Sequence, residues 1–285
     1  MIKVLRINQW SKNLLIFVVM FAANSINFTN VSILSILFFS FSLIVSSTYI
    51  FNDLVDIQSD QNHPSKKNRP LASGKLSKNK GVIIMIILFF TGNVTIFFLD
   101  QNLLIYSFSY VFFTLIYSLK LKYLKYADLI NISILFLIRL SIGGEALSIN
   151  ISLALYIFVF FSSLGVVAGK KLSILENKEI VNSKVKVFLQ AKYTNSELKN
   201  VMNSSLILSI VTYAYWVILI KAPSLEIFSL ITLLISLVTF CYFIFYFINN
   251  SYNSNTEEII EMILDDKKVL LSLLLFLGTF FVGNL

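Results

Sequence analysis

Charged residues are scarce in this sequence, and proline and cysteine are nearly missing. Of its 285 residues only 13% are charged and 57% are apolar, with 3 prolines and 1 cysteine. A soluble domain usually carries about 25% charged residues. The shortage of charge therefore excludes a soluble particle and indicates a protein surrounded by lipid. The lone cysteine, Cys241, excludes a disulfide framework.

The charges that are present give a net charge of +8 and concentrate in a few stretches. Lysine and arginine number 3 in residues 1–13, and then 6, 3, 7 and 2 in 52–80, 120–127, 170–200 and 249–268. We interpret these stretches as topology signals and phosphate ligands, and we expect no nucleic-acid partner. Since basic loops stay in the cytoplasm, they predict a cytoplasmic amino terminus in a plasma membrane of the bacterial (inner-membrane) type.

Long apolar runs account for most of the remaining chain. A membrane helix needs about 20 mainly apolar residues, and nine runs are candidates. If all nine cross the membrane, the basic stretches all lie on the same side of it. The nine runs predict an all-α bundle of nine transmembrane helices, forming one integral-membrane catalytic domain over residues 1–285. No small-residue cleavage site follows the first run, so we expect it to stay in the mature protein. The runs are 13–29, 31–51, 81–99, 102–119, 128–147, 150–169, 203–221, 225–248 and 269–285.

Three aspartates follow the second apolar run at helical spacing. Asp53, Asp56 and Asp60 are three and four residues apart and would share one helical face, with Asn52 beside them. Such a stripe at the end of a membrane helix is costly unless a cation neutralises it. Mg²⁺ takes hard oxygen ligands and is often shared with substrate phosphates. The stripe predicts a Mg²⁺ site for a diphosphate, the alternative being a solvated acidic helix end.

Three cations and the only histidine come directly after the acidic stripe. His63, Lys66, Lys67 and Arg69 lie within seven residues of one another. Arginine suits bidentate phosphate contact and lysine a point-charge contact. Acids that hold a metal and bases that hold phosphate oxygens together predict a diphosphate site, although each base alone also fits a cytoplasmic loop.

The acidic stripe followed by Arg69-Pro70-Leu71 resembles the first aspartate-rich motif of UbiA-type intramembrane prenyltransferases. This resemblance implies nine transmembrane helices, a central cavity and a cytoplasmic Mg²⁺-diphosphate site, and the usual members join a prenyl diphosphate to an aromatic ring. The second aspartate-rich motif of the usual members is missing. Lys170 and Lys171 stand in its place, which suggests an anion bound directly by cations.

Several further motifs resemble the branch of polyprenyl-phosphate phosphoribosyltransferases, which includes the decaprenyl-phosphate enzymes. One motif departs from the branch, because Ile7 stands where proline usually follows the arginine. The matching residues are Arg6, Gln9, Trp10, Lys12 and Asn13; His63, Pro64, Lys66, Arg69 and Pro70; Tyr117, Ser118, Leu121 and Lys122 with Lys120 close by; Ile138, Arg139, Gly143 and Gly144; Lys170 and Lys171; and Glu257, Glu258, Asp266 and Lys267.

Arg139 lies in the middle of an apolar run, where an arginine is costly and is a functional candidate. It shares a helical stripe with Asp128 and Asn131, which gives it a polar path toward the cytoplasm. The alternative is a structural ion pair, for example with Glu145. Gly143 and Gly144, about one helical turn further on, would allow a neighbouring helix or a ligand to approach closely, the alternative being tight helix packing alone.

The branch resemblance implies that 5-phosphoribose is transferred from phosphoribosyl diphosphate to a polyprenyl phosphate in the lipid bilayer, with Mg²⁺ as cofactor. The product would be a lipid-linked pentose phosphate for cell-envelope glycan synthesis, and a homo-oligomer is compatible with this. A prenyltransferase acting on an aromatic acceptor and a transporter or lipid-binding protein stay as alternatives. Catalytic roles are expected for Asp53, Asp56, Asp60 and Arg139, metal binding for Asn52, Asp53, Asp56 and Asp60, and substrate binding for Arg6, Gln9, Lys12, Asn52, Lys66, Arg69, Tyr117, Lys120, Lys122, Lys170 and Lys171.

Overall fold

A computed structural model describes residues 2–61, 66–177, 184–224, 226–253 and 266–284. In these ranges the regular structure is helical throughout, which confirms the all-α prediction. The α-helices are α1 (Ile2–Leu5), α2 (Val18–Ala22), α3 (Phe28–Val55), α4 (Ile57–Gln61), α5 (Lys78–Leu99), α6 (Leu103–Leu119), α7 (Ala127–Ala146), α8 (Leu153–Glu176), α9 (Lys184–Lys192), α10 (Asn195–Tyr215), α11 (Ile227–Tyr252) and α12 (Lys267–Gly283).

The chain forms two compact units. The first unit contains Met1–Asn131 and Leu135–Ile151, and the second contains Ile132–Ile134 and Ser152–Leu285. The first unit therefore holds the acidic stripe and most of the α7 helix, and the second holds α8 to α12.

Among the described residues, six helices are long and apolar enough to cross a membrane, and α6 is a shorter apolar helix of 17 residues. The six are α3, α5, α7, α8, α11 and the segment Asn195–Lys221, in which a π-helical turn at Trp216–Lys221 continues α10. The predicted count of nine is thus not confirmed by length and composition. Helix α12, with 17 residues, covers residues 269–283 of the last predicted run.

The first predicted run, 13–29, is not one α-helix. A 3-10 helix at Ile7–Phe17 leads into α2, which ends at Ala22. Asn24 then adopts a positive φ of 48°, and the side chain of Asn27 caps α3 by accepting a hydrogen bond from the Asn30 backbone at 2.8 Å. Asparagine favours left-handed turns and helix caps, so the polar end of this run breaks the helix.

Close helix packing in the first unit depends on glycine. A Cβ at Gly92 of α5 would lie 2.6 Å from the Ser40 carbonyl oxygen of α3, so only glycine allows this approach. At the end of α3, the buried side chains of Ile50, Ile57 and Leu71 form one apolar cluster. Leu71 in this cluster fixes the loop after the acidic stripe, two residues from Arg69.

The second unit is built around aromatic side chains. The Tyr213 ring of α10 lies 5.3 Å from that of Phe158 and 5.6 Å from that of Phe240. Its hydroxyl forms a buried hydrogen bond with Ser236. Gly165 of α8 permits close contact with Leu206 of α10, since a Cβ there would lie 2.6 Å from the Leu206 side chain.

Candidate active site

The acidic stripe spans the junction between α3 and α4. Helix α3 ends at Val55, and α4 starts at Ile57. Backbone hydrogen bonds nevertheless continue the four-residue helical pattern, from Asp56 to Asn52 at 2.9 Å and from Asp60 to Asp56 at 2.8 Å. Asp53 and Asp60 are buried, with 7% and 3% of their surface exposed, whereas Asp56 is half-buried.

Two arginines neutralise the buried pair of carboxylates. The Arg69 guanidinium donates to Asp60 at 2.6 Å and to Asp53 at 3.1 Å, so one side chain bridges both. Arg6 donates to the same oxygen of Asp53 and stacks on the Tyr49 ring, 5.0 Å from its centroid. The structure thus brings the predicted Arg6 and Arg69 together with the acidic stripe.

The third carboxylate has a different cation. Lys122 donates to Asp56 at 2.7 Å from the turn after α6. The predicted Tyr117 lies near the end of α6 and is half-buried. Lys120 is exposed at the end of α6, and Asn52 is half-buried beside the stripe.

The chemistry of these donors fits Mg²⁺, because carboxylate and amide oxygens are its preferred protein ligands. Among the described residues, however, no three acidic, histidine or cysteine side chains converge closely enough to hold a metal. Each carboxylate is instead paired with a cation. Binding of Mg²⁺ by Asp53, Asp56 and Asp60 would therefore require the arginines and Lys122 to turn away from them, toward the oxygens of a diphosphate.

Lys66 is a cation whose charge is poorly solvated. Burial lowers the pKa of its ammonium group, and the neighbouring Arg69 lowers it further, while Asp60 and Asp56 oppose the shift. An anionic ligand would favour the charged form of this lysine. The predicted His63 lies outside the described residues, and Lys67 is exposed.

Arg139 is buried, with 3% of its surface exposed, in the interior of the first unit. It donates to the Asn13 side-chain oxygen at 2.8 Å, to the Leu135 carbonyl at 2.7 Å and to the Tyr110 hydroxyl at 2.9 Å. Its guanidinium also lies over the Tyr110 ring, 4.8 Å from the centroid. Among the described residues no carboxylate pairs with it, and Glu145 instead accepts a hydrogen bond from Tyr106.

The other predicted residues of the amino-terminal motif lie in the 3-10 helix. Lys12 donates to Gln9 at 2.6 Å on the exposed side. Trp10, a residue of the same motif, donates from its indole nitrogen to the Ser46 hydroxyl of α3 at 3.0 Å. Asn13 is completely buried.

The second unit contains the predicted pair Lys170 and Lys171, in α8 and half-buried. The Lys171 ammonium lies over the Tyr193 ring, 5.4 Å from its centroid, and the Lys192 ammonium lies 5.3 Å from the same centroid. Glu257 and Glu258 of the late motif are outside the described residues. Asp266 accepts a hydrogen bond from Tyr246, which holds the pKa of its carboxyl below the usual range.

Three residues at this site were missed or undervalued by sequence reasoning. Tyr49 precedes Asp53 by one helical turn, so its spacing could have placed it under Arg6. Asn13 was identified only as a residue of the amino-terminal motif, and the sequence did not indicate that it contacts Arg139. Tyr110 carried no signal in the sequence, because it reaches Arg139 from a different helix.

A family model described as the UbiA prenyltransferase family matches residues 13–263. The decaprenyl-phosphate phosphoribosyltransferase of Mycolicibacterium smegmatis is 32% identical over 221 residues, which cover 76% of this chain and 69% of that protein. An uncharacterized protein of Sinorhizobium fredii, y4nM, is 37% identical over 163 residues, which cover 56% of this chain. The matched part is about a third of y4nM, since it covers 32% of that protein.

Solved structures share the fold. A structure reported for digeranylgeranylglyceryl phosphate synthase superimposes with a TM-score of 0.68 at 20% identity, covering 99% of this chain and 96% of that one. A UbiA homologue from Archaeoglobus fulgidus bound to GPP and Mg²⁺ gives a TM-score of 0.65 at 14% identity, with the same coverage of both chains. With the membrane-length helices and the family match, these likenesses identify an integral membrane protein. The chain belongs to the UbiA prenyltransferase family.

Proposed function

We propose that this protein transfers a 5-phosphoribosyl group from phosphoribosyl diphosphate to a polyprenyl phosphate. The observation that carries the proposal is the set of three cations that form ion pairs with the acidic stripe, namely Arg6, Arg69 and Lys122. Support also comes from the similarity to decaprenyl-phosphate phosphoribosyltransferases over about three quarters of the chain. The product, a lipid-linked pentose phosphate, would serve cell-envelope glycan synthesis.

The reaction replaces one phosphate ester at the sugar C1 atom with another. An oxygen of the acceptor phosphate forms the new bond to C1, while the bond from C1 to the diphosphate oxygen breaks and inorganic diphosphate leaves. Negative charge grows on the leaving group. Arg6, Arg69 and Lys122 would stabilise this charge once they turn from the carboxylates to the diphosphate oxygens.

The acceptor phosphate is already anionic near pH 7, so the reaction needs no strong general base. This agrees with a site rich in cations. Mg²⁺, if held by Asp53, Asp56 and Asp60 with Asn52 near, would supply further positive charge at the diphosphate. The bundle would contain nine membrane helices, with the amino terminus and the site on the cytoplasmic side of a bacterial inner membrane.

Two substrate pairs offered to the purified protein test this proposal. We expect product from labelled phosphoribosyl diphosphate with polyprenyl phosphate, and none from a prenyl diphosphate with an aromatic acid. Product only from the second pair would refute phosphoribosyl transfer and favour the usual activity of the family. Product from neither pair, while labelled lipid crosses the membrane, would favour a transporter.

A further inference from the structure

Two residues on one face of the α7 helix, Arg139 and Gly143, contact residues 13–16 of the amino-terminal 3-10 helix. Arg139 donates to the buried Asn13 side chain, and Asn13 in turn donates to the Ser42 hydroxyl of α3 at 2.8 Å. One turn further along α7, a Cβ at Gly143 would collide with the carbonyl oxygen of Ile16. Arg139 and Gly143 therefore hold residues 13–16 in direct backbone and side-chain contact.

The segment that is held in this way carries Arg6 to the acidic stripe. Trp10 and the Leu5 carbonyl both bond to the Ser46 hydroxyl of α3, at 3.0 and 2.8 Å. Arg6 itself has φ and ψ of 49°, in the left-handed region that costs energy for a residue with a Cβ. This backbone conformation places its guanidinium against Tyr49 and Asp53.

All three hydrogen bonds of Arg139 go to neutral oxygen atoms, and its surface is 3% exposed. The bonds tie three parts of the first unit together, the amino-terminal 3-10 helix, α6 and α7. A buried guanidinium that makes several well-aligned hydrogen bonds holds its partners strictly in place. This arrangement suits a residue that orients other parts of the protein.

We propose that Arg139 is a positioning residue, which fixes the 3-10 helix at Ile7–Phe17 and thereby sets Arg6 against Asp53 for contact with the substrate diphosphate. The effect on turnover passes through Arg6, and this part rests on the proposed function. The rival role is direct contact between Arg139 and a substrate phosphate, which would make it a catalytic residue.

The substitution Asn13→Asp separates the two roles. A carboxylate in place of the Asn13 amide keeps an acceptor for Arg139, and its negative charge pairs with the guanidinium. Positioning by Arg139 would survive this change, so we expect activity of Asn13→Asp within about fivefold of the wild type, against a loss of roughly tenfold or more for Asn13→Ala. Direct phosphate contact would be abolished by the added negative charge. Asn13→Asp less active than Asn13→Ala would overturn the proposal.

A double-mutant cycle tests whether Arg139 acts through Arg6. We expect Arg6→Met and Arg139→Met each to lower kcat/KM by roughly tenfold to a hundredfold. The kcat/KM of the double variant should equal that of the less active single variant, because both substitutions act through Arg6. Gly92→Ala is a matched control, because its Cβ would clash in α3–α5 packing away from the amino-terminal segment. The losses from Gly92→Ala and Arg6→Met should multiply. Multiplying losses for Arg139→Met and Arg6→Met would refute positioning.

Tryptophan fluorescence gives a readout that needs no substrate. The chain has 2 tryptophans, so Trp216→Phe leaves Trp10, bonded to Ser46, as the single probe of the segment. We expect Arg139→Met and Asn13→Ala to raise acrylamide quenching of Trp10 at least twofold, with Gly92→Ala unchanged. Unchanged quenching in Arg139→Met would overturn the positioning role even if phosphoribosyl transfer is confirmed. Increased quenching without phosphoribosyl transfer would support positioning and reject the proposed function alone. Gly143→Ala repeats the test if Arg139→Met does not fold.

Discussion

Replacing Arg69 with methionine should lower the free energy of unfolding more than the loss of a surface ion pair does. Arg69 bridges two carboxylates, of which Asp60 has a side chain 3% exposed and Asp53 one 10% exposed. Asp53 keeps Arg6 in the variant. Asp60 forms its ion pair with Arg69 alone among the described residues, so the substitution leaves a buried carboxylate without an ion-pair partner.

The expected magnitude follows from this burial. Removing one partner of a buried pair costs about 3–5 kcal/mol. Since the Arg69 side chain is itself 24% exposed, water reaches the vacated place, and we expect a loss of about 3 kcal/mol in the free energy of unfolding. Lys199→Met is the matched control. Its pair with Glu176 at 2.9 Å is 40% and 26% exposed, and such pairs contribute less than about 1 kcal/mol.

Unfolding in mixed detergent micelles with EDTA measures both variants in the absence of divalent metal. Equal losses for Arg69→Met and Lys199→Met would refute the reasoning from burial. Adding Mg²⁺ extends the assay, because carboxylates released from Arg69 become available to the ion. We expect Mg²⁺ to stabilise Arg69→Met more than the wild type, and equal stabilisation would mean that Asp53 and Asp60 are not its ligands.

Three other outcomes are expected. Asp56→Asn removes a charge paired with Lys122, in a place where the two side chains are 23% and 18% exposed. The asparagine oxygen can still accept a hydrogen bond from Lys122, so the unfolding free energy should fall by about 1 kcal/mol while kcat falls at least about a hundredfold; an active variant would remove Asp56 from the machinery. Lys170→Ala combined with Lys171→Ala should raise the KM for phosphoribosyl diphosphate about tenfold, and unaltered steady-state kinetics would show that these lysines bind no substrate. Chelation by EDTA should abolish phosphoribosyl transfer and added Mg²⁺ should restore it, whereas turnover that survives EDTA would contradict a metal-dependent reaction.

Most helices could be predicted from apolar runs alone, because a run of about 20 apolar residues has few alternatives to a helix in lipid. The run 31–51 lies inside α3, and 128–147 nearly coincides with α7. The run 13–29 failed as one helix, since Asn24 and Asn27 offer turn and cap conformations that periodicity does not reveal. The count of nine spans stays a prediction.

The residues of the site could be predicted as a set but not as pairs. Spacing placed Asp53 and Asp60 on one face, and the structure agrees, because Arg69 reaches both. Spacing could not show that Arg6, 47 positions away, would reach Asp53. Nor could it show that Arg139 would contact Asn13, 126 positions away, because pairing across helices depends on how they pack.

The sequence by itself determined that the chain is surrounded by lipid, that its charges gather in a few stretches, and that acids and bases follow the second apolar run. These properties follow from composition and local spacing, which hold before any packing is known. Only the tertiary structure decided which cation lies on which carboxylate, and that Arg139 holds the amino-terminal segment. Such contacts join residues far apart in the chain, such as Arg139 and Asn13, and local spacing does not fix how the helices that carry them pack.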